Sequence, residues 1–250
     1  MDAKQIIARR VAAEVKPETL VNLGIGLPSM VANFLPEKAH VFFQAENGVV
    51  GLGARPPEGM EDPNLTDAGG GFVTAVPGAA SIDSAVSFGL IRGGHLDMTV
   101  LGGLQVDAKG RLANWIIPGK MAPGMGGAMD LVTGARRVIV AMLHTQKGMP
   151  KIVPECTLPV TAQRRVDLIV TELAVIEPTD AGLVVRERGP DVKLEDIINA
   201  TAAPLIAQQE PPEMRLPDLG LRTERGVQVN IEVSNGGAGV EAGVCHAINR

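Results

Sequence analysis

Short aliphatic runs, closed by glycine, proline or asparagine and separated by helix-period stretches, constrain this chain more than any other feature. Leu20 to Ile25, the run ending at Ala45, Phe72 to Val76, Leu96 to Leu101, Arg136 to Leu143 and Val166 to Leu173 read as strands. Val175 to Glu177 and Leu183 to Arg186 read as a shorter pair. Helical stretches lie between them. Ile7, Val11 and Val15 recur every four residues before Pro17, with Asp2 and Gln5 at capping-box spacing. Pro28 suits the first turn of a second helix with Met30, Val31, Phe34 and Leu35 on its apolar side. Further helices are expected from about Ser81 to Ile91, ending at Gly93-Gly94, and over Leu194 to Ala200. Strands alternating with helices predict an α/β fold, an open and mainly parallel sheet flanked by helices.

Val41-Phe42-Phe43-Gln44-Ala45-Glu46-Asn47-Gly48 places a single carboxylate at the mouth of an apolar strand. Asn47-Gly48 turns the backbone, because both residues tolerate positive φ. Gly51 and Gly53 then predict a loop free of side chains, open to close approach by a ligand. By itself Glu46 is either a solvated turn residue or a functional carboxylate. Gly24-Ile25-Gly26-Leu27-Pro28 joins a strand to a helix and is either an anion-binding turn or a tight corner. The dinucleotide fingerprint fails there, since Ser29 replaces its third glycine. A second glycine cluster, Gly124-Met125-Gly126-Gly127, precedes a helical segment. Its backbone amides are candidates to line an anion or oxyanion site, but it lacks the lysine-serine ending of a P-loop.

Composition excludes several classes. The net charge is −5 without a basic run, and there are only five Phe, one Trp and no Tyr. Neither nucleic acid nor an anionic membrane is an expected partner. Cys156 and Cys245 have neither metal-ligand nor disulfide spacing, and His95 has no second ligand near it, so no metal site is expected. With no targeting pattern at the amino end and no membrane-length apolar run, a cytoplasmic protein is expected. From Glu210 onward proline, glycine and charge dominate; residues 1–210 read as the domain and 211–250 as a carboxy-terminal extension.

Over roughly residues 1 to 205 the chain resembles the β subunit of family I CoA-transferases of the 3-oxoacid type. The segments that carry the resemblance occur in order. They are Val21-Asn22-Leu23-Gly24-Ile25-Gly26-Leu27-Pro28, Glu46-Asn47-Gly48 with Gly51-Leu52-Gly53, and Ile91-Arg92-Gly93-Gly94-His95. The longest runs from Leu112-Ala113-Asn114-Trp115 through Pro118-Gly119-Lys120 to Gly124-Met125-Gly126-Gly127-Ala128-Met129-Asp130-Leu131. Leu131-Val132-Thr133-Gly134 and the opening Met1-Asp2-Ala3-Lys4-Gln5 look closest to acetate/acetoacetate-type members, with the 3-oxoadipate type open. Ala45 stands where the family usually has serine, and the chain continues past the usual family end near residue 215.

The resemblance implies a fold related to that of sugar-phosphate isomerases, and a ping-pong transfer through a thioester on Glu46. It makes Gly126 and Gly127 candidate oxyanion donors and places Asn22, Gly24 and Gly26 nearest the CoA pantetheine. Coenzyme A is then a substrate, with no permanently bound cofactor. Acyl-CoA and small carboxylic acids are the expected ligands. An α subunit is the expected partner, as an α2β2 heterotetramer; the methionine start and the length suggest that it is a separate chain. Two other readings are an acyl-CoA hydrolase using the same glutamate and a non-catalytic binding protein on a related fold.

Overall fold

A computed structural model describes residues 1–36, 39–119, 125–207 and 209–216. Lys120 and Gly124 of the long motif, Cys245 and residues 217–250 of the extension lie outside the described residues. In chain order the first part comprises α1 (Ala3–Ala12), β1 (Leu20–Leu23), a 3-10 helix (Leu27–Phe34), β2 (Phe42–Ala45), β3 (Val49–Leu52), β4 (Ala75–Ser81), α2 (Ser84–Arg92) and β5 (Met98–Leu101). Then come β6 (Gln105–Asp107), β7 (Leu112–Ala113), α3 (Ala128–Gly134), β8 (Val138–Ala141), β9 (Thr145–Gln146), β10 (Met149–Pro150) and β11 (Ile152–Val153). β12 (Leu168–Val170), β13 (Ala174–Thr179), β14 (Gly182–Arg188), α4 (Leu194–Ala200) and β15 (Leu205–Ile206) complete the order.

Ten strands form the main sheet in the order β15-β14-β13-β12-β8-β5-β1-β2-β3-β4. Its centre is parallel, from β12 through β8, β5 and β1 to β2. Antiparallel hairpins widen it on both sides. Every residue of β5, β8 and β12 is buried, as two covered faces require. Alternation divides their side chains between two cores. Val138, Val140 and Ile169 pack with Ile91 of α2 and Leu131 of α3. Ile139, Ala141, Leu168 and Val170 pack with Ile7 and Val11 of α1 and with Val31 and Phe34 of the 3-10 helix.

Four local expectations are corrected. Asp2 is the N-cap of α1, but its side chain makes no cap hydrogen bond, so the capping box does not form. The segment after Gly26 is a 3-10 rather than an α-helix, with Pro28 in its first turn. The strand expected from Phe72 runs instead over Ala75–Ser81. Val49–Leu52 is a strand, not an open loop. A Cβ at Gly51 would lie 2.8 Å from that of Ala79, and one at Gly53 would collide with Thr74. These glycines admit the neighbouring backbone, not a ligand. Gly48 does serve the turn: its φ is 118° and a Cβ there would run into the Ile82 carbonyl.

The described part of the 211–250 segment lies on the domain. Met214 is buried in the core with α1, its N–H donates to the Arg188 carbonyl at 2.8 Å, and Glu213 bridges in parallel to Arg188. Among the described residues no helix is long and apolar enough to cross a membrane.

His144, fully buried beyond β8, fastens three elements together. Its Nδ1 is 2.8 Å from Thr171 Oγ1 and its Nε2 is 2.8 Å from Thr201 Oγ1, while its N–H donates to the Glu172 carboxylate at 2.9 Å. Thr201 Oγ1 itself donates to the Ile197 carbonyl, so it accepts from Nε2–H; a neutral imidazole is then satisfied on both sides when Thr171 Oγ1 turns its one hydrogen to Nδ1 at 2.8 Å and not to the Ala174 carbonyl at 3.1 Å. Burial pushes the imidazole down to about 4. A folded-state value below the unfolded one contributes stability that is present above pH 6.5 and lost as the pH falls toward 4. The loss amounts to at most about 3 kcal/mol. Urea midpoints should therefore fall across that window, and His144→Gln should flatten the fall. An equally steep decline in the variant would assign it to other groups, such as Glu14, whose ion pairs to Arg10 and Arg137 lower its value and act at more acid pH.

Candidate active site

β1 is the point where the sheet's winding reverses: the chain goes next to β2 on one side and later to β5 on the other. Ligands of open α/β sheets bind beyond the carboxyl ends of the strands at such a switch point. Glu46 follows the last residue of β2 there. The Asn47-Gly48 turn, closed by Gly48 N–H donating to the Ala45 carbonyl at 3.0 Å, reverses the chain into β3 and leaves Glu46 at the corner, half-buried.

Three of the residues singled out from the sequence meet at this corner. Asn22 Nδ2 donates to Glu46 Oε2 at 3.1 Å. Gly127 lies against the glutamate stem: a Cβ there would sit 3.0 Å from Glu46 Cγ and 3.3 Å from Cδ. Gly127 is also the N-cap of α3, so the amino end of that helix adjoins the carboxylate. The Gly126 and Gly127 amides donate to no acceptor among the described residues. Gly126, at φ 54° and clear of neighbours, makes the turn into the helix.

The glycines after β1 divide. Gly24 N–H donates to the Val100 carbonyl at 2.8 Å, and a Cβ there would be 3.1 Å from that oxygen, so Gly24 belongs to the β1–β5 ladder. Gly26 is exposed at φ 85°, and its carbonyl accepts from both the N–H and the hydroxyl of Ser29. Ile25 between them is 73% exposed and packs on the Gly69 turn. Asn47 holds the other side of that loop by donating to the Thr66 carbonyl at 2.8 Å.

Behind the glutamate lie three polar residues that the sequence reading passed over: Gln44, Ser87 and Thr99, all essentially inaccessible. The signal was present as a lone polar residue inside each apolar strand, Asn22 in β1, Gln44 in β2 and Thr99 in β5. Other groups carry no comparable arrangement. His95 is exposed, its N–H donates to the Leu90 carbonyl, and no metal-holding group of three His, Cys, Asp or Glu occurs among the described residues. Burial raises the Cys156 thiol to about 11, which leaves it a poor nucleophile. Among the cavities on the described residues, one of about 220 Å³ lies beside Phe42 and Val76 and one of about 540 Å³ between Arg10 and Arg215. Glu46 lines neither of them.

A carboxylate at the switch point of a mainly parallel sheet, with a glycine-capped helix against it, gives this chain the layout of α/β proteins whose ligands bind beyond strand ends. The fold is similar to that of the acyl-CoA transferase of Escherichia coli O157:H7 (TM-score 0.69, 23% identity, 86% of this chain). This chain spans 43% of that solved chain. Residues 4–200 match the family described as Coenzyme A transferase, and the chain belongs to that family. It is 50% identical over 222 residues to the acetate CoA-transferase subunit beta of Haemophilus influenzae, covering 88% of this chain and 99% of that protein. To the subunit of the same name from Escherichia coli K12 it is 58% identical over 188 residues, covering 75% and 86% respectively.

Proposed function

We propose that this chain is the β half of a two-subunit CoA-transferase that moves CoA between an acyl-CoA and a small carboxylic acid of the acetoacetate, acetate or succinate class. Glu46 is its nucleophile. The observation that carries this reading is the corner itself: a carboxylate held by the buried Asn22 amide, with Gly127 bare against its stem. A Glu46 oxygen attacks the thioester carbonyl, the C–S bond breaks, and CoA leaves as thiolate from a mixed anhydride. The thiolate then attacks Glu46 Cδ, expelling the donor acid as carboxylate and leaving CoA on the protein as a thioester. An incoming carboxylate takes the CoA by the same steps reversed. Two easier exchanges replace one difficult exchange, and no proton or oxidant is consumed.

Each tetrahedral intermediate needs donors for its oxyanion. The Gly126 and Gly127 amides fill this role, and losing one such donor costs on the order of 100-fold. The turn containing Gly24 and Gly26 borders the path of the CoA pantetheine, with Gly26 the open position of the two. A second subunit completes the site. Its support is the "subunit beta" in the relatives' names, together with Ile25, Phe72, Val86 and Met129, exposed on segments around Glu46. The assembly is read as α2β2, CoA as a substrate and not a resident cofactor, and the compartment as the cytoplasm.

The test is peptide mass spectrometry on the chain co-expressed with an α-type partner and incubated with acetoacetyl-CoA. A CoA adduct on the Glu46 peptide, discharged by acetate or succinate, is the expected result. An intact complex that binds acyl-CoA without forming the adduct would sink the covalent mechanism. Adduct discharged by water as fast as by any acid would make the protein a hydrolase. Competition with 3-oxoadipate reads out the acid preference.

A further inference from the structure

Asn22, Gln44 and Thr99 occupy one row across three adjacent parallel strands: Asn22 is in register with Gln44 on β2 and with Thr99 on β5. All three are buried to within 1% of complete, and Ser87 of α2, equally buried, closes the row. Such a row is costly in an aliphatic sheet unless every member is bonded. Here every member is. Thr99 Oγ1 donates to Asn22 Oδ1 at 3.3 Å, and Gln44 Nε2 donates to Ser87 Oγ at 2.8 Å. Asn22 Nδ2 faces three acceptors: the Gln44 carbonyl at 3.0 Å, Gln44 Oε1 at 3.2 Å and Glu46 Oε2 at 3.1 Å.

A carboxamide has a donor end and an acceptor end, and a half-turn about χ2 exchanges them. With Nδ2 toward Glu46 the carboxylate is held; with Oδ1 there, two acceptors would oppose each other and the carboxylate would swing away. The Gln44 main-chain carbonyl can only accept, so it selects the Nδ2 end, and the Thr99 hydroxyl then gives its hydrogen to Oδ1. We infer that Thr99 and Gln44 are positioning residues for the transfer reaction: together they hold the Asn22 carboxamide with its N–H toward Glu46, the Gln44 side chain being tied in turn to Ser87. None of the three reaches the reacting atoms. The inference rests on the proposed role of Glu46 as nucleophile and adds how the fold aims it.

The experiment follows single-turnover formation of the Glu46–CoA thioester, with steady-state kcat and KM, in the assembled enzyme. The variants are Thr99→Val, Thr99→Ser and Gln44→Met, all close to the native shapes. Thr99→Val and Gln44→Met are each expected to slow thioester formation and kcat by about 10- to 100-fold with KM for acyl-CoA within about twofold. Thr99→Ser, which keeps the hydroxyl, is expected to restore most of the rate. Melting temperatures keep loss of fold separate from loss of aim. Wild-type rates in Thr99→Val and Gln44→Met would overturn the inference while leaving Glu46 as nucleophile. So would a Thr99→Ser variant as slow as Thr99→Val. No thioester in the wild type would remove the nucleophile reading, and this inference with it.

Discussion

Replacing Glu46 with glutamine is expected to eliminate the CoA adduct and lower transfer by on the order of 10⁴-fold or more, the scale seen when a covalent nucleophile is removed. The substitution preserves volume and an oxygen that Asn22 Nδ2 can still bond, so the local hydrogen bond at 3.1 Å has a partner in the variant. Glu46 is half-buried at a turn and belongs to no ion pair among the described residues, so stability should change by less than about 1 kcal/mol. Intact-mass spectrometry, transfer rates and a melting curve on Glu46→Gln check the three statements together. A variant that still carries CoA at another residue would move the nucleophile elsewhere.

Gly127→Ala should lower kcat by about 10-fold, a part of the roughly 100-fold cost of a 1 Å misplacement, with little effect on stability. Gly127 has φ −82° and ψ 1°, a backbone that alanine adopts without strain, so loss of conformational freedom in the unfolded chain offsets any cost to within about 1 kcal/mol. The added methyl meets Glu46 Cγ at 3.0 Å, so the glutamate stem must give by a few tenths of an ångström, which shifts the carboxylate against Asn22. Gly126→Ala is the natural contrast. At φ 54° with open space around it, an alanine there strains the backbone by about 1–2 kcal/mol but touches nothing of Glu46. A kcat loss at 127 with a stability loss at 126 is the expected pattern; normal turnover in Gly127→Ala would mean that the glycine is not holding space for the nucleophile.

Much of the fold was legible because its determinants are local. α4 appears over the residues expected, Leu194–Ala200, and β5, β8 and β12 fall inside their aliphatic runs. The misses are also physical. Leu27–Phe34 has the apolar spacing of a helix, yet it winds as 3-10 after a glycine at φ 85° with proline in the first turn. Gly51 and Gly53 signalled a loop because glycine usually does, whereas here they let β4 approach β3. Single-residue signals carry the need for small size but not what makes the need.

The site divides along the same line. Glu46 was conspicuous as the charged residue ending an apolar strand, and the Asn-Gly turn after it is a property of those two residues alone. Gln44 and Thr99 were not conspicuous, since one polar residue in a strand looks tolerable wherever it occurs. Only the pairing of β1 with β2 and β5 puts Asn22, Gln44 and Thr99 in one row, joining residues 22 and 77 positions apart. The sequence by itself determined the alternating elements, the turn that exposes the carboxylate and the small residues near it, because these follow from the conformational preferences of neighbouring side chains. The tertiary structure decided which amide faces Glu46, which glycine clears its stem and which polar side chains lie buried behind it, because strand register and helix docking are set by burial of the whole sheet.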